Sequence, residues 1–306
     1  MSTDGHAARG GTVFDIGYQG YNGERRGRHY ARDAVYQNGI RSALGLGRST
    51  RAKALPWFFI IALSAIGLIM ALIAGGVNRY IGAGTAQALN LPSHSDLYGI
   101  ASIIMFAFGA VVAPELLCPD RRDGTINLYL VRPITGGDYI LARWASFLTV
   151  MLVAAWMPQV ILFLGLCLSD ADPMKYVQTN WRDIPRFLLA GLVISAYVTT
   201  LAMLVASFTT RRAYAAVFLI GLFVISTPFT VGLASEMKNV TGQWISMFSL
   251  SNIPVHVNDL IFDDVSKITE DSPARRLAPW IRVAWCAGWT AVPGAILWQR
   301  YRRMTP

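Results

Sequence analysis

The length of the apolar runs limits this chain more than any other feature. Residues 54–77, ALPWFFIIALSAIGLIMALIAGGV, carry no charge. An α-helix rises 1.5 Å per residue, so a run of ~20 residues crosses ~30 Å of hydrocarbon. Further runs of this kind lie at about 98–117, 139–168, 184–208, 213–234 and 279–298. A soluble domain of 306 residues would spread its apolar residues by helix or strand period instead. A closed barrel would need ~10-residue alternating strands, and none is present. The pattern predicts an all-α polytopic membrane protein with six transmembrane helices. The spans occupy 54–299, and a short tail, 300–306, follows.

Charge sets the expected orientation. The chain has a net charge of +9. Two-thirds of its Lys and Arg fall in residues 1–53, the 115–143 segment, the Thr209–Arg212 turn and the tail. Cytoplasmic segments carry the excess of positive charge, so both termini are expected inside. Residues 1–29 are rich in Gly, Arg and Tyr and poor in aliphatics, which predicts irregular chain ordered only against a partner. In residues 30–53, Val35/Tyr36, Gly39/Ile40 and Ala43/Leu44 recur at helical spacing, with Asp33, Gln37 and Arg41 on another face. This reads as a basic amphipathic helix, lying in the membrane interface before the first span or packed on a partner. No secretory signal opens the sequence, since the first apolar run starts near residue 54.

The segment Glu115–Arg143, ELLCPDRRDGTINLYLVRPITGGDYILAR, separates the second and third spans. It is too polar for lipid. Pro119 can open a short helix, and Asp120 and Asp123 suit that helix's positive end. Arg132-Pro133 should stop it. Thr135-Gly136-Gly137 makes a turn, and Asp138 can cap the next helix. On these grounds the segment is either a short helix presenting charge to a partner or an ordinary basic loop.

The order of these residues resembles the type-2 permease family of ABC transporters. In that family an acidic residue ends the second span, followed by a GTL…LL stretch, a proline turn and Gly-Lys. The corresponding places hold Glu115, Gly124-Thr125-Ile126, Leu128-Tyr129-Leu130, Arg132-Pro133 and Ala142-Arg143. Gly136 stands near a position where the family often has Arg, and Ala142-Arg143 replaces Gly-Lys. The FDIGYQGYNGERRGR string also resembles the opening of some bacterial members. The resemblance implies that a separate ATP-binding cassette subunit, with its ATP and Mg, docks on this hinge, and that a second permease copy or a homologous permease completes the assembly. It assigns docking to Arg121, Arg122, Asp123, Gly124, Thr125, Leu128, Tyr129 and Arg132. Glu115, Pro133 and Arg143 mark the ends of the hinge. Arg121, Arg122 and Asp123 are the charges expected to project. Ile126, Leu128, Tyr129 and Leu130 read as one apolar side that rests on the bundle or fills an ATPase groove, with Tyr129 the expected aromatic anchor, and Gly124 allows a sharp bend.

Nothing in the chain reads as catalytic. There is no G-x-x-x-x-G-K-[ST], no nucleophile elbow and no H-E-x-x-H. The three cysteines, Cys118, Cys167 and Cys286, have no metal-ligand spacing. No cofactor is expected in this chain, and its partners are protein and membrane lipid with no nucleic acid. No charge sits near the middle of any run, unlike ion-coupled carriers. Glu115 is expected to pair with Arg121, Arg122 or Arg143. Residues 235–278 are too interrupted to span and read as short re-entrant or surface helices. Two functions remain open: an exporter of a hydrophobic, lipidic or peptide substrate by alternating access, and a mechanotransmitter that contacts an outer partner through 235–278.

Overall fold

The computed structural model describes residues 27–47, 50–80, 93–130, 134–237 and 239–303, and within 50–80 the side chains of 53–77. The expectations for residues 1–26, and for Arg132 and Pro133, lie outside the described residues. Within them the regular structure is helical: α1 (Arg28–Ala43), α2 (Thr50–Tyr80), α3 (His94–Arg122), α4 (Thr125–Leu130), α5 (Gly136–Ser169), α6 (Pro173–Asn180), α7 (Asp183–Ala206), α8 (Arg212–Glu236), α9 (Val240–Ser246), α10 (Ile253–Phe262), a 3-10 turn (Pro273–Arg276) and α11 (Pro279–Arg302).

Five helices, α2, α3, α5, α7 and α8, are long and apolar enough to cross a membrane. The sixth expected span is the 24-residue helix α11. It is long enough at ~36 Å, but less apolar. It carries Arg282 and four tryptophans, Trp280, Trp285, Trp289 and Trp298, a residue type suited to the interface.

Contacts between helix ends give the topology. Gly75 lies against Ser169, so α2 and α5 finish together. The Cys118 thiol reaches the carbonyls of Ala206 and Thr209, so α3 and α7 finish together at the other end. There too, the Tyr301 ring of α11 stacks on Tyr139 at the start of α5, with centroids 5.9 Å apart. Arg28 of α1 meets Asp138 at 2.7 Å. The bundle therefore has a hinge end, carrying α1, α4 and the end of α11, and an opposite end.

Small residues let the helices approach. Gly67 sits over the backbone of Pro158, where an added Cβ would come within 2.5 Å of the Pro158 carbonyl oxygen. Together with Ala71 and Gly75 it forms a small-residue stripe against Gly165 and Ser169. Ala202 and Ala206 of α7 are buried within the chain. Ala284 and Gly288 of α11 instead line an open apolar groove with α7 and α8.

α1 accounts for the first part of the helix expected over 30–53 and ends at Ala43. Its apolar and polar side chains are only weakly segregated. Val35, Gly39 and Ala43 are buried, and Gly39 abuts Ser146 of α5. The Tyr36 hydroxyl bonds the Thr149 hydroxyl at 2.9 Å. The helix thus turns its apolar stripe to the bundle.

The 235–278 segment does form short helices, but they are not all superficial. α10 is buried from Ile253 through Asp259. The Asn258 amide donates to the Ser95 hydroxyl at 2.9 Å, and the Lys267 amide to Asp96 at 3.1 Å. The segment folds back onto the start of α3. A buried stretch with this many polar partners cannot be read from periodicity, because no period survives in it.

Candidate functional site

The hinge is built on the far end of α3. This helix runs on to Arg122, through Pro114 and Pro119. Pro119 is therefore inside a helix and does not start one. It removes one amide near a helix end, where the carbonyl left over reaches solvent or side chains easily. Asp120 and Asp123 consequently lie at the negative end of the α3 dipole, contrary to the expected positive end.

The turn after α3 is sharp. The Asp123 amide bonds the Pro119 carbonyl at 2.9 Å. Gly124 then adopts φ +68°, a left-handed conformation that a side chain would strain. α4 follows at once. The Thr125 hydroxyl reaches both the carbonyl and the carboxylate of Asp120, at 3.2 Å each, and locks α4 to α3. Ile126 and Leu130, four apart, are buried on the bundle. Leu128 points away and is 70% exposed. The Tyr129 ring is half-buried against Tyr139, with centroids 5.4 Å apart, and its hydroxyl accepts from Asn38 of α1 at 3.4 Å.

The charges divide in two. Arg122 and Asp123 are exposed and paired with each other at 2.8 Å. The Arg122 hydrogen bond holds the Asp123 carboxyl below its usual range. The others are turned inward. Asp120 accepts from Arg143 Nη2 and from the Tyr139 hydroxyl, both at 2.6 Å. Arg143 is 2% exposed. Arg121 donates to the Ser207 carbonyl in the α7–α8 turn. Glu115 pairs with Arg212, whose Nη1 lies 2.7 and 2.6 Å from its two carboxylate oxygens. This corrects the expected partners of Glu115 among Arg121, Arg122 and Arg143. It also corrects Arg121 as a projecting charge, while Tyr129 rests partly on the bundle.

At the α5 start, Thr135 is the N-cap, and Asp138 returns a hydrogen bond to its amide at 3.1 Å. Asp138 is thus the third helical residue of a reciprocal cap, with Gly136 and Gly137 already in the helix. Of the assigned docking residues, the structure displays Arg122, Asp123, Gly124 and Leu128 on one exposed corner. It half-buries Thr125 and Tyr129. Sequence reasoning missed Asn38, Ser207 and Arg212 as contacts of the hinge. Only Arg212 carried a signal, as a basic residue in a short turn.

Residues 64–305 match the family described as ABC-2 family transporter protein. The chain belongs to the ABC-2 transporter family. It is a multi-pass membrane protein and the permease component of an ABC transporter, and this membership implies association with an ABC ATPase subunit. No curated protein matches the chain. The ABC-2 match begins inside α2 and takes in the hinge, so α1 lies before the matched region.

Proposed function

We propose that this ABC-2 permease is the membrane subunit of an exporter working by alternating access. A separate ATPase subunit, which binds ATP and Mg, docks on the corner formed by Arg122, Asp123, Gly124 and Leu128. The observation that carries this reading is the corner itself. An exposed Leu128 beside an exposed charge pair stands on a short helix braced from below by Ile126 and Leu130. An apolar anchor with a charged rim suits a protein partner. The hinge end is then cytoplasmic, as the positive charge of the sequence expects.

Two further observations support transport. The groove between α7, α8 and α11 has a volume of about 730 Å³ and is lined by side chains such as Leu204, Leu222, Trp285 and Trp289, which suit a hydrophobic or lipidic substrate. Only 17% of the most apolar stretch of α8 is buried, and Val217, Phe218, Val224 and Phe229 are exposed on it, which suits a second permease copy. Mechanotransmission would need an outer surface offered by 235–278. The burial of Ile253–Asp259 takes that stretch out of such a surface.

The test is co-purification of an ATPase subunit in mild detergent. Leu128→Asp combined with Arg122→Glu should abolish it. Undiminished association of that variant overturns the docking corner.

A further inference from the structure

α8 is, with α11, the least covered of the long helices. Its buried residues, Ala215, Leu219, Phe223, Thr230 and Ala234, form one thin stripe. Midway, Phe223 packs on Phe106 of α3, with centroids 4.3 Å apart. Toward the opposite end, the Thr227 hydroxyl meets those of Ser249, at 3.0 Å, and Ser251. At the hinge end, Arg212, the first residue of α8, grips Glu115 of α3. No side chain caps this helix start. Beside it, Arg121 and Cys118 of the same α3 turns hold the carbonyls of Ser207, Ala206 and Thr209, which precede α8.

We propose that Glu115 and Arg212 are a positioning pair that makes the hinge end of α8 follow the end of α3. A push at the α3–α4 corner then tilts α8 about the Phe106–Phe223 contact. The inference rests on the docking reading above, since it assumes that the push arrives at that corner. Its own content is the route by which the push leaves. α3 ends one residue before the Asp123–Gly124 turn, so a displacement of the corner is carried to Glu115, two helical turns away across Pro119. α8, covered along one narrow stripe and tied to Glu115 through Arg212, is placed to respond. The link is an ion pair and tolerates the small changes of angle that a tilt requires.

The test uses the complex of the full chain with its ATPase subunit in reconstituted membranes. A reporter cysteine is placed at Ser235, exposed near the far end of α8. The native Cys118, Cys167 and Cys286 are buried and free, so they contribute little background. Maleimide labelling of the reporter is followed with and without AMP-PNP and Mg. The parent should show a nucleotide-dependent change of about fivefold in labelling rate, the low end of typical coupling between sites. Arg212→Glu should abolish the change while the ATPase still co-purifies. Adding Glu115→Arg should restore it by reversing the pair, and Arg212→Lys should retain it. A change that persists in Arg212→Glu overturns the proposal and leaves the docking reading intact. So does a parent that co-purifies with its ATPase but shows no change. A loss in Arg212→Glu that the swapped pair and Arg212→Lys both fail to restore also overturns it, because charge pairing is then irrelevant. If the parent binds no ATPase, the docking reading itself is wrong, and this route falls with it.

Discussion

At the hinge end, charge is paired across helix ends: Asp120 with Arg143, Glu115 with Arg212, and Asp138 with Arg28. At the opposite end, polar groups are buried among neutral donors. Asp259 accepts from the Thr269 hydroxyl and, at 3.0 Å, from the Ser266 amide. The His94 ring bonds the Gln159 side chain at 2.6 Å. The two constructions respond differently to displacement. A Coulomb attraction falls slowly with distance, whereas a hydrogen bond weakens steeply with misalignment. The hinge end can therefore change shape and stay attached, while the polar contacts between 235–278 and the start of α3 hold one geometry.

The largest expected effect would break the first half of this contrast. Asp120→Ala leaves the buried Arg143 without its carboxylate and should cost about 3 kcal/mol in thermal unfolding in detergent. A double Asp120→Ala, Arg143→Leu variant should recover much of that. If Asp120→Ala melts like the parent, charge pairing does not hold the hinge end. Next is Asp259→Ala, which strands the Ser266 amide and leaves the Thr269 hydroxyl its bond to the Ser266 carbonyl alone. It should cost about 2 kcal/mol, and Asp259→Asn, which keeps an acceptor, should cost less.

A pH titration sharpens the second half. Burial, with Arg282 and Arg275 nearby, pushes the His256 imidazole down to about 4, and its Nε2 faces only the Ser272 hydroxyl at 3.3 Å. The unfolded chain takes up the proton near pH 6.5 and the folded one does not. Stability should therefore fall as pH drops below 6.5 and level off near 4. The loss is about 1 kcal/mol between pH 6.5 and 5.5. Burial raises the Asp259 carboxyl, which works in the opposite sense, adding stability as pH falls. His256→Gln isolates the imidazole: the loss between pH 6.5 and 5.5 should shrink by about 1 kcal/mol. The smallest effect is at the corner. Leu128→Ser removes an exposed side chain and should change stability by less than about 0.5 kcal/mol, although it should weaken capture of the ATPase subunit. A large loss of melting temperature would mean that Leu128 serves the bundle.

The helices were legible because hydropathy blocks and helix length agree. α2 and α3 overrun the expected 54–77 and 98–117 because a helix continues past its apolar block until a cap or a left-handed residue ends it. For α3 these are the Ser93–Asp96 reciprocal cap and Gly124. The corner was partly legible. Gly124 and the charges around it announced a turn, but Ile126, Leu128, Tyr129 and Leu130 read as a single apolar side. At ~100° per residue a short helix splits them, and only the pair four apart meets the bundle. The partner of Glu115 was not legible, since it lies 97 residues away and several arginines were nearer in sequence.

The contact between Arg28 and Asp138 bears on how the protein is made. The two residues are 110 apart in sequence. At about 5–20 residues per second, α1 leaves the ribosome on the order of ten seconds before the helix it seats on exists. During that interval Val35, Gly39 and Ala43 have no bundle to cover them, and the membrane surface is the nearest apolar substitute. The first of the described helices thus cannot settle until half of the spans have been made. Insertion of the third span is the event that releases it from waiting.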